Sequence, residues 1–184
     1  MDGPTSENSS ARAYRDVVLA NIPENRYPFQ LMKHIFHDHL GVREGVVLDL
    51  GCGRGDQMAA LEELGFSTIG IDHEPGPNVA YVCDFGDQPL PLEDNSVDVV
   101  FSKSVIEHLY LPQIKHYMSE IMRVLKPGGY VAIFTPDWIY CWDDYYDGFT
   151  HVTPFTTKSL AVCLNMYGFV DVETKVVTQL PSVW

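Results

Sequence analysis

Two hydrophobic periodicities take turns along the chain. In "YPFQLMKHIFHDHLG", Phe29, Met32, Ile35, Phe36 and Leu40 recur at helical spacing, and Gly41 closes the segment as a C-cap. "GVVLDLG" is a short apolar run that predicts a strand. "RGDQMAALEELGF" predicts a helix with Met58, Leu61 and Leu64 facing inward and Gly65 at its end. "STIGID", "VAYVCD" and "SVDVVFSKS" predict three further strands. "LPQIKHYMSEIMRVLKPGG" carries a long helical stripe of Ile114, Tyr117, Met118, Ile121, Met122 and Leu125, which Pro127-Gly128-Gly129 stops. "YVAIFTP" predicts a fifth strand, "TTKSLAVCLNMYGF" a helix and "VDVETKVVT" a sixth strand. Residues 1–13 are polar and without period, which predicts a mobile tail, and residues 14–184 are expected to form one domain.

Strands that alternate with helices imply parallel, right-handed crossovers, and so an α/β class. Runs such as "VVLDL" and "VDVVF" suit a sheet buried on both faces, a three-layer Rossmann-like sandwich. In such a sheet the ligand sits beyond the carboxyl ends of the strands, where strand order reverses.

Composition narrows the function. A chain of 184 residues is long enough for one full core, and 46% apolar with 20% charged residues is ordinary for a globular protein. The net charge of −13 repels nucleic-acid phosphate and anionic membrane surfaces. Cys52, Cys83, Cys141 and Cys163 are scattered, with no CxxC pair to suggest zinc or a disulfide framework, so reduced thiols in a cytoplasmic setting are expected. No apolar run reaches the roughly 18 residues of a membrane span. "KHIFHDHL" holds His34, His37 and His39 without the zincin pattern, and reads as a solvated helix face; no metal is expected from it.

The candidate chemistry begins at "VVLDLGCGRGDQ", where Gly51, Gly53 and Gly55 fall within five residues. A P-loop requires GxxxxGK[ST], and no lysine follows here. A dinucleotide fingerprint requires GxGxxG, whereas this loop is GxGxG, which weakens a nicotinamide-dehydrogenase reading. Asp49 stands two positions before the first glycine, and a carboxylate there disfavours pyrophosphate and favours a ligand with positive charge.

"LDLGCGRG", "GIDHE", "VCDFGDQPLPLEDNSVDVVFSKSVIEHL" and "VLKPGGYVAIFTP", in that order, resemble the class I S-adenosylmethionine-dependent methyltransferases over roughly residues 28–178. The resemblance implies S-adenosylmethionine as cofactor, S-adenosylhomocysteine as product, and a cofactor-binding set of Asp49, Gly51, Cys52, Gly53, Asp72, His73, Asp84, Phe85 and Ser102. In the family the glycine loop lets backbone approach the ligand. Asp49 matches the position that fixes the amino-acid end, and Asp72 the carboxylate that bridges the ribose hydroxyls, with Glu74 as an alternative. Asp84 matches the acceptor for the adenine amino group, with Phe85 flanking the ring. Ser102 and Lys103 end the strand whose backbone lines the methionine pocket. Gly55 can equally serve a tight turn, Asp84 a cap, and Cys52 a small apolar filler. The family sheet usually has seven strands, the last antiparallel. Only six are countable here, so either the chain is a fragment or that last strand is missing.

Methyl transfer needs alignment of a nucleophile with the methyl group and exclusion of water; a hydroxyl nucleophile also benefits from a base. His108 in "SVIEHL" and His151 in "DGFTHVTPF" are the candidate catalytic residues, and each also admits a purely structural role. Trp138, Tyr140, Trp142, Tyr145, Tyr146 and Phe149 interleave with Asp137, Asp143, Asp144 and Asp147, a pattern suited to a carbohydrate or an amine, or to a lid packed on its own domain. "SKSVIE" stands where many methyltransferases of nucleic-acid amino groups carry Asn/Asp-Pro-Pro-aromatic. The expected function is therefore methyl transfer to a small-molecule or glycan acceptor at oxygen, with N-methyl transfer or a cofactor-binding, non-catalytic partner subunit as alternatives.

Overall fold

A computed structural model describes residues 27–177. The expected tail at 1–13 and the chain's last residues lie outside the described residues. The elements in chain order are α1 (Tyr27–Lys33), continued by a π-helical turn at His34–His39, then β1 (Val46–Leu50), α2 (Asp56–Glu63), β2 (Ser67–Asp72), β3 (Tyr81–Val82) and β4 (Val97–Lys103). A 3-10 turn at Ile106–His108 leads into α3 (Leu111–Val124), β5 (Leu125–Phe134), α4 (Trp138–Cys141), a second 3-10 turn at Tyr145–Asp147, and α5 (Thr157–Met166).

The five strands form one parallel sheet in the order β3-β2-β1-β4-β5. Alternation along the strands divides the core in two. Val47, Val99 and Phe101 face α1 and α2, where Leu31, Met32, Ile35, Phe36, Ala60, Leu61 and Phe66 complete one cluster. Leu48, Leu50 and Val100 face the opposite layer, built from Ile114, Tyr117, Met118, Ile121 and Val124 of α3 with Leu160 and Leu164 of α5. The three layers predicted from the strand–helix alternation are therefore present. Strand order reverses between β1 and β4, which pair through Val47–Val99, Leu48–Val100 and Asp49–Phe101.

Several boundaries differ from the sequence reading. Gly41, at φ +70°, does end the first helix, and Val42 N–H donates to the Phe36 carbonyl at 2.8 Å across it. α3 buries Val124, while Met122 is 42% exposed, because the stripe advances from Ile121 by three residues rather than one. β5 starts directly at Leu125, so Pro127-Gly128-Gly129 lies within the strand instead of preceding it. The third strand contracts to two residues at the sheet edge. The sixth strand does not form: residues 171–177 are irregular, and Glu173 is drawn to His39 at 3.2 Å and to Lys175 at 2.9 Å. Among the described residues the strands thus number five, all parallel, with β5 at the edge.

One half-buried cation fastens the 88–95 segment to α3. Arg123 donates to both Glu120 oxygens at 2.9 and 2.7 Å, to Asp94 at 2.9 Å, and to the carbonyls of Leu90 and Leu92 at 2.9 and 2.7 Å. The Arg123 hydrogen bonds hold the Glu120 carboxyl below its ordinary range. Arg123→Met leaves Glu120 and two carbonyls without their partner and is expected to cost about 2–4 kcal/mol, a fall in Tm of roughly 5–10 °C by calorimetry. A lowered carboxyl contributes its stability above the unfolded-state pKa. The gap between wild type and variant therefore holds at neutral pH and narrows as pH falls below about 4.

Candidate active site

The carboxyl ends of β1, β2, β4 and β5 gather the residues singled out by sequence. After Leu50 the chain turns through Gly51, Gly53 and Gly55, at φ +86°, +51° and +79°. The reasons for the glycines differ. A Cβ on Gly51 would lie 2.3 Å from Val105 Cγ2, and one on Gly55 would lie 2.5 Å from the Asn78 side chain. A Cβ on Gly53 meets nothing within 4 Å. Gly51 and Gly55 thus serve the protein's own packing, and only Gly53 faces open space.

Asp72 closes the loop from beside it. It is 7% exposed, and its Oδ2 accepts from Gly53 N–H at 2.8 Å while Oδ1 accepts from Glu74 N–H at 3.1 Å. His73 Nδ1 lies 3.0 Å from the same Oδ1. A carboxylate offers about four lone-pair positions, so capacity remains for further donors. Glu74 contributes its backbone to this arrangement.

Asp49 is 2% exposed, and its Oδ2 is buried with no hydrogen-bond partner. Burial, then the Asp72 charge, push its pKa up to about 7, against a smaller opposing effect of Lys103. Such an orphaned acid beside an open glycine suits a ligand that brings a positive charge or hydrogen-bond donors. These residues fit the amino-acid end and ribose of S-adenosylmethionine. Cys52 is buried in the loop, and burial together with Asp49 and Asp72 lifts its thiol to about 11, as befits an unreactive filler.

Other expected cofactor residues are differently placed. Asp84 is exposed, its Oδ1 accepting from Gly86 N–H at 3.2 Å and its carbonyl from Asp87 and Gln88. The carboxylate therefore supports a local turn and stays open to solvent. Phe85 is 6% exposed and packs against Tyr117 in the core, with ring centroids 6.1 Å apart. Ser102 is buried and donates to the Leu50 carbonyl at 2.8 Å, tying β4 to β1 where they frame the loop.

Past β4, Ser104 adopts φ +58°, a left-handed turn that costs a non-glycine residue about 1–2 kcal/mol. It carries residues 105–109 over the end of the sheet. The 137–155 loop is fastened onto this segment. Val152 and Thr153 N–H donate to the Glu107 carbonyl at 2.8 and 3.0 Å, and Thr153 Oγ1 donates to the Leu109 carbonyl at 2.7 Å. Tyr145 Oη donates to the Thr153 carbonyl at 2.8 Å.

This docking brings His108 and His151 together, with ring centroids 4.8 Å apart and an interplanar angle of 64°. His108 Nδ1 lies 3.1 Å from the Thr150 carbonyl and His151 Nδ1 lies 2.7 Å from the Tyr145 carbonyl. Each Nδ1 must carry the proton to donate to a carbonyl, which leaves both Nε2 lone pairs available.

Sequence reasoning missed Glu107. It has no exposed surface; its Oε2 accepts from Thr135 Oγ1 at 3.0 Å, and its buried Oε1 has no partner. Burial raises its pKa, opposed by hydrogen bonds and by the two neighbouring histidines. The apolar residues Val105, Ile106 and Leu109 around it were the available signal.

A wide hollow of about 1160 Å³ lies elsewhere, along the outer side of β5. It reaches the carboxyl end of the sheet at Lys103, Thr135 and Asp137. Tyr140, Trp142, Tyr146 and Phe149 of the 137–155 loop are exposed, whereas Tyr145 is buried against Trp138 and His151. Among the described residues no helix is long and apolar enough to cross a membrane, and all four cysteines are free.

A glycine turn at a strand-order reversal, with acids at the ends of β1 and β2, defines a Rossmann-like domain for a nucleoside cofactor. Residues 48–133 match the family described as "Methyltransferase domain". A probable S-adenosylmethionine-dependent methyltransferase of Mycolicibacterium smegmatis is 36% identical over 123 residues, 62% of this chain and 46% of that one. A malonyl-[acyl-carrier protein] O-methyltransferase of Methylococcus capsulatus is 30% identical over 156 residues, 73% of this chain and 55% of that one. The crystal structure of a Burkholderia thailandensis 1,6-didemethyltoxoflavin-N1-methyltransferase, with its substrate and S-adenosylhomocysteine bound, superposes with a TM-score of 0.64 at 20% identity, covering 99% of this chain and 88% of that one. Over residues 48–133 the chain is similar to S-adenosylmethionine-dependent methyltransferases, and it spans about half the length of the sequence relatives it matches.

Two variants separate packing from binding at this site. Gly53→Ala adds a methyl group to open space at a left-handed φ, so it should lose only about 1 kcal/mol of stability while weakening S-adenosylhomocysteine binding measured by calorimetry. Asp49→Asn tests the buried acid. An acid whose folded pKa is raised contributes stability fully below its unfolded pKa and loses it as pH rises through the folded value near 7. The ligand-free variant should therefore melt above wild type at pH 8, and this difference should shrink steadily towards pH 4.

Proposed function

We propose that the protein moves a methyl group from S-adenosylmethionine to a hydroxyl of a small-molecule or glycan acceptor. The observation that carries this reading is the meeting of His108 and His151, 43 positions apart in sequence, at the carboxyl end of β4 and β5 with both Nε2 atoms free. An amine nucleophile has its own lone pair ready and makes little use of a base, whereas a hydroxyl gains about 10²–10⁴-fold from one.

When bound, S-adenosylmethionine supplies a methyl group already activated by its cationic sulfur. Asp49 would face the amino-acid end, Gly53 would allow close approach of the backbone, and Asp72 would accept from the ribose hydroxyls. Asp84 would accept from the adenine amino group, with His73 and Cys52 lining the same cradle. The 137–155 loop would exclude water from the acceptor side. Its exposed Tyr140, Trp142, Tyr146 and Phe149, set among aspartates, offer flat apolar faces and acceptors of the kind that bind sugars. The acidic surface agrees with an acceptor that is not a nucleic acid. Four free cysteines favour a cytoplasmic setting.

The test pairs acceptors that share one scaffold and differ only in hydroxyl or amine. Release of S-adenosylhomocysteine is expected with the hydroxyl members, and His151→Ala should lower kcat by at least about 100-fold. Asp72→Asn should weaken S-adenosylhomocysteine binding by about 10- to 100-fold, the worth of one or two charged hydrogen bonds. Turnover of amine members alone would overturn the oxygen assignment. Binding of S-adenosylhomocysteine with no turnover would instead favour the non-catalytic partner role.

A further inference from the structure

Glu107, His108 and His151 form a cluster that their hydrogen bonds do not explain. One donor atom from each lies within 4.8 Å of the other two. Yet no hydrogen bond or ion pair joins Glu107 to either imidazole, and the carboxylate keeps a buried oxygen without a partner. Leaving such an oxygen unsatisfied costs about 1–3 kcal/mol. Three donors that face one another across a gap too wide for hydrogen bonds are arranged as they would be around an ion. Bonds of about 2.0–2.2 Å put donor atoms roughly 3–4 Å apart, so the cluster has to close by about 1 Å.

We propose that Glu107, His108 and His151 hold one divalent first-row metal ion, which takes the acceptor's oxygen as a further ligand. The supporting contacts are those of metal-binding side chains. Each imidazole donates through Nδ1 to a backbone carbonyl, Thr150 for His108 and Tyr145 for His151, which fixes the tautomer that leaves Nε2 as the ligand atom. Glu107 is held through its second oxygen by Thr135. Two imidazoles and one carboxylate select manganese, iron, cobalt or zinc over magnesium and calcium, and three protein ligands leave coordination positions open for substrate.

This inference rests on the reading of this end of the sheet as the acceptor side, and it changes the histidines' part in the reaction. A coordinated Nε2 cannot take up a proton. The ion instead acidifies the bound hydroxyl, as zinc lowers the pKa of bound water from 15.7 to about 7. The hydroxyl gives its proton to solvent. Its oxygen then bonds to the methyl carbon as the carbon–sulfur bond breaks, and that electron pair stays on sulfur, leaving a neutral thioether.

Cobalt(II) is the probe, added to the metal-stripped full-length protein and followed by equilibrium dialysis and visible absorption. One equivalent should bind with a ligand-field band. Glu107→Gln and His151→Ala should each weaken binding by more than the 10–100-fold typical of losing a supporting contact, while His39→Ala leaves it unchanged. Circular dichroism and S-adenosylhomocysteine affinity, read on the same samples, show whether each variant is folded. Should Glu107→Gln not fold, His151→Ala and His108→Ala carry the test. Equal cobalt binding by wild type and the folded variants overturns the proposal, as does full turnover after stripping with a chelator. Either result leaves the methyltransferase reading intact if S-adenosylhomocysteine still binds. Cobalt bound by the three residues in a protein that does not bind S-adenosylhomocysteine would sink that reading and keep the metal site.

Discussion

The peptide carbonyl of Glu107 is the point on which the acceptor side of this molecule depends. It accepts from Val152 and Thr153 together, and so fixes the far end of a long aromatic loop to the turn that follows β4. Without those two bonds the loop would be held to this turn mainly through Thr153 Oγ1 on Leu109 and His108 on Thr150. The same residue's side chain reaches Thr135, immediately past β5. One residue thus joins the ends of two neighbouring strands to the loop that covers them, and the meeting of the two histidines follows from that attachment. Because backbone groups make the bond, it constrains the loop's path rather than its side chains, and the exposed aromatic residues remain free to differ in what they touch.

The cofactor side is built on the opposite principle. Asp49 and Asp72 are placed where water is scarce. Asp49 sits in the middle of the sheet's reversal point, on the face shared with Val47, and among the described residues Oδ2 has no hydrogen-bond partner. Asp72 accepts from the loop at Gly53 and keeps capacity for further donors, so it holds Gly53 in the left-handed turn that keeps the backbone bare. A fold that carries an uncompensated buried acid is less stable than it could be, and such a concession is commonly found at binding sites. Ser104, left-handed at the exit of β4, is a second concession within the same few residues.

Much of this was legible in the sequence because it depends on local pattern. The apolar runs of β1, β2 and β4 and the stripe of α3 declared themselves through period and length. Gly51 and Gly55 were recognisable as obligatory glycines, but not the reason, since Val105 and Asn78 come from 54 and 23 residues further on. His108 and His151 could each be proposed alone. That they face one another required the loop's path, which is set by backbone bonds to Glu107 that carry no sequence signature. Glu107 itself was hidden because a fully buried carboxylate looks, in sequence, like any exposed one. Phe85 shows the converse: its position beside Asp84 suggested a ring facing a base, while its packing against Tyr117 could not be read from the sequence.

The predicted sixth strand shows where pattern alone fails. "VDVETKVVT" alternates as a strand should, yet alternation describes side chains, and a strand exists only through its ladder. β5 offers an open edge ten residues long, and residues 168–177 share a wide groove with it. Among the described residues they do not pair with it, and Glu173 instead lies 3.2 Å from His39 at the end of the first helical segment. An exposed side-chain contact of this kind contributes little energy on its own, about 0–1 kcal/mol. It is nonetheless consistent with a weakly specified register, since Val170 and Val176 remain exposed in this arrangement and gain no buried face by it. The carboxyl end of the sheet and the irregular segment 171–177 thus differ in how they are held: the first is tied by backbone bonds to buried groups, the second, among the described residues, by side chains in water.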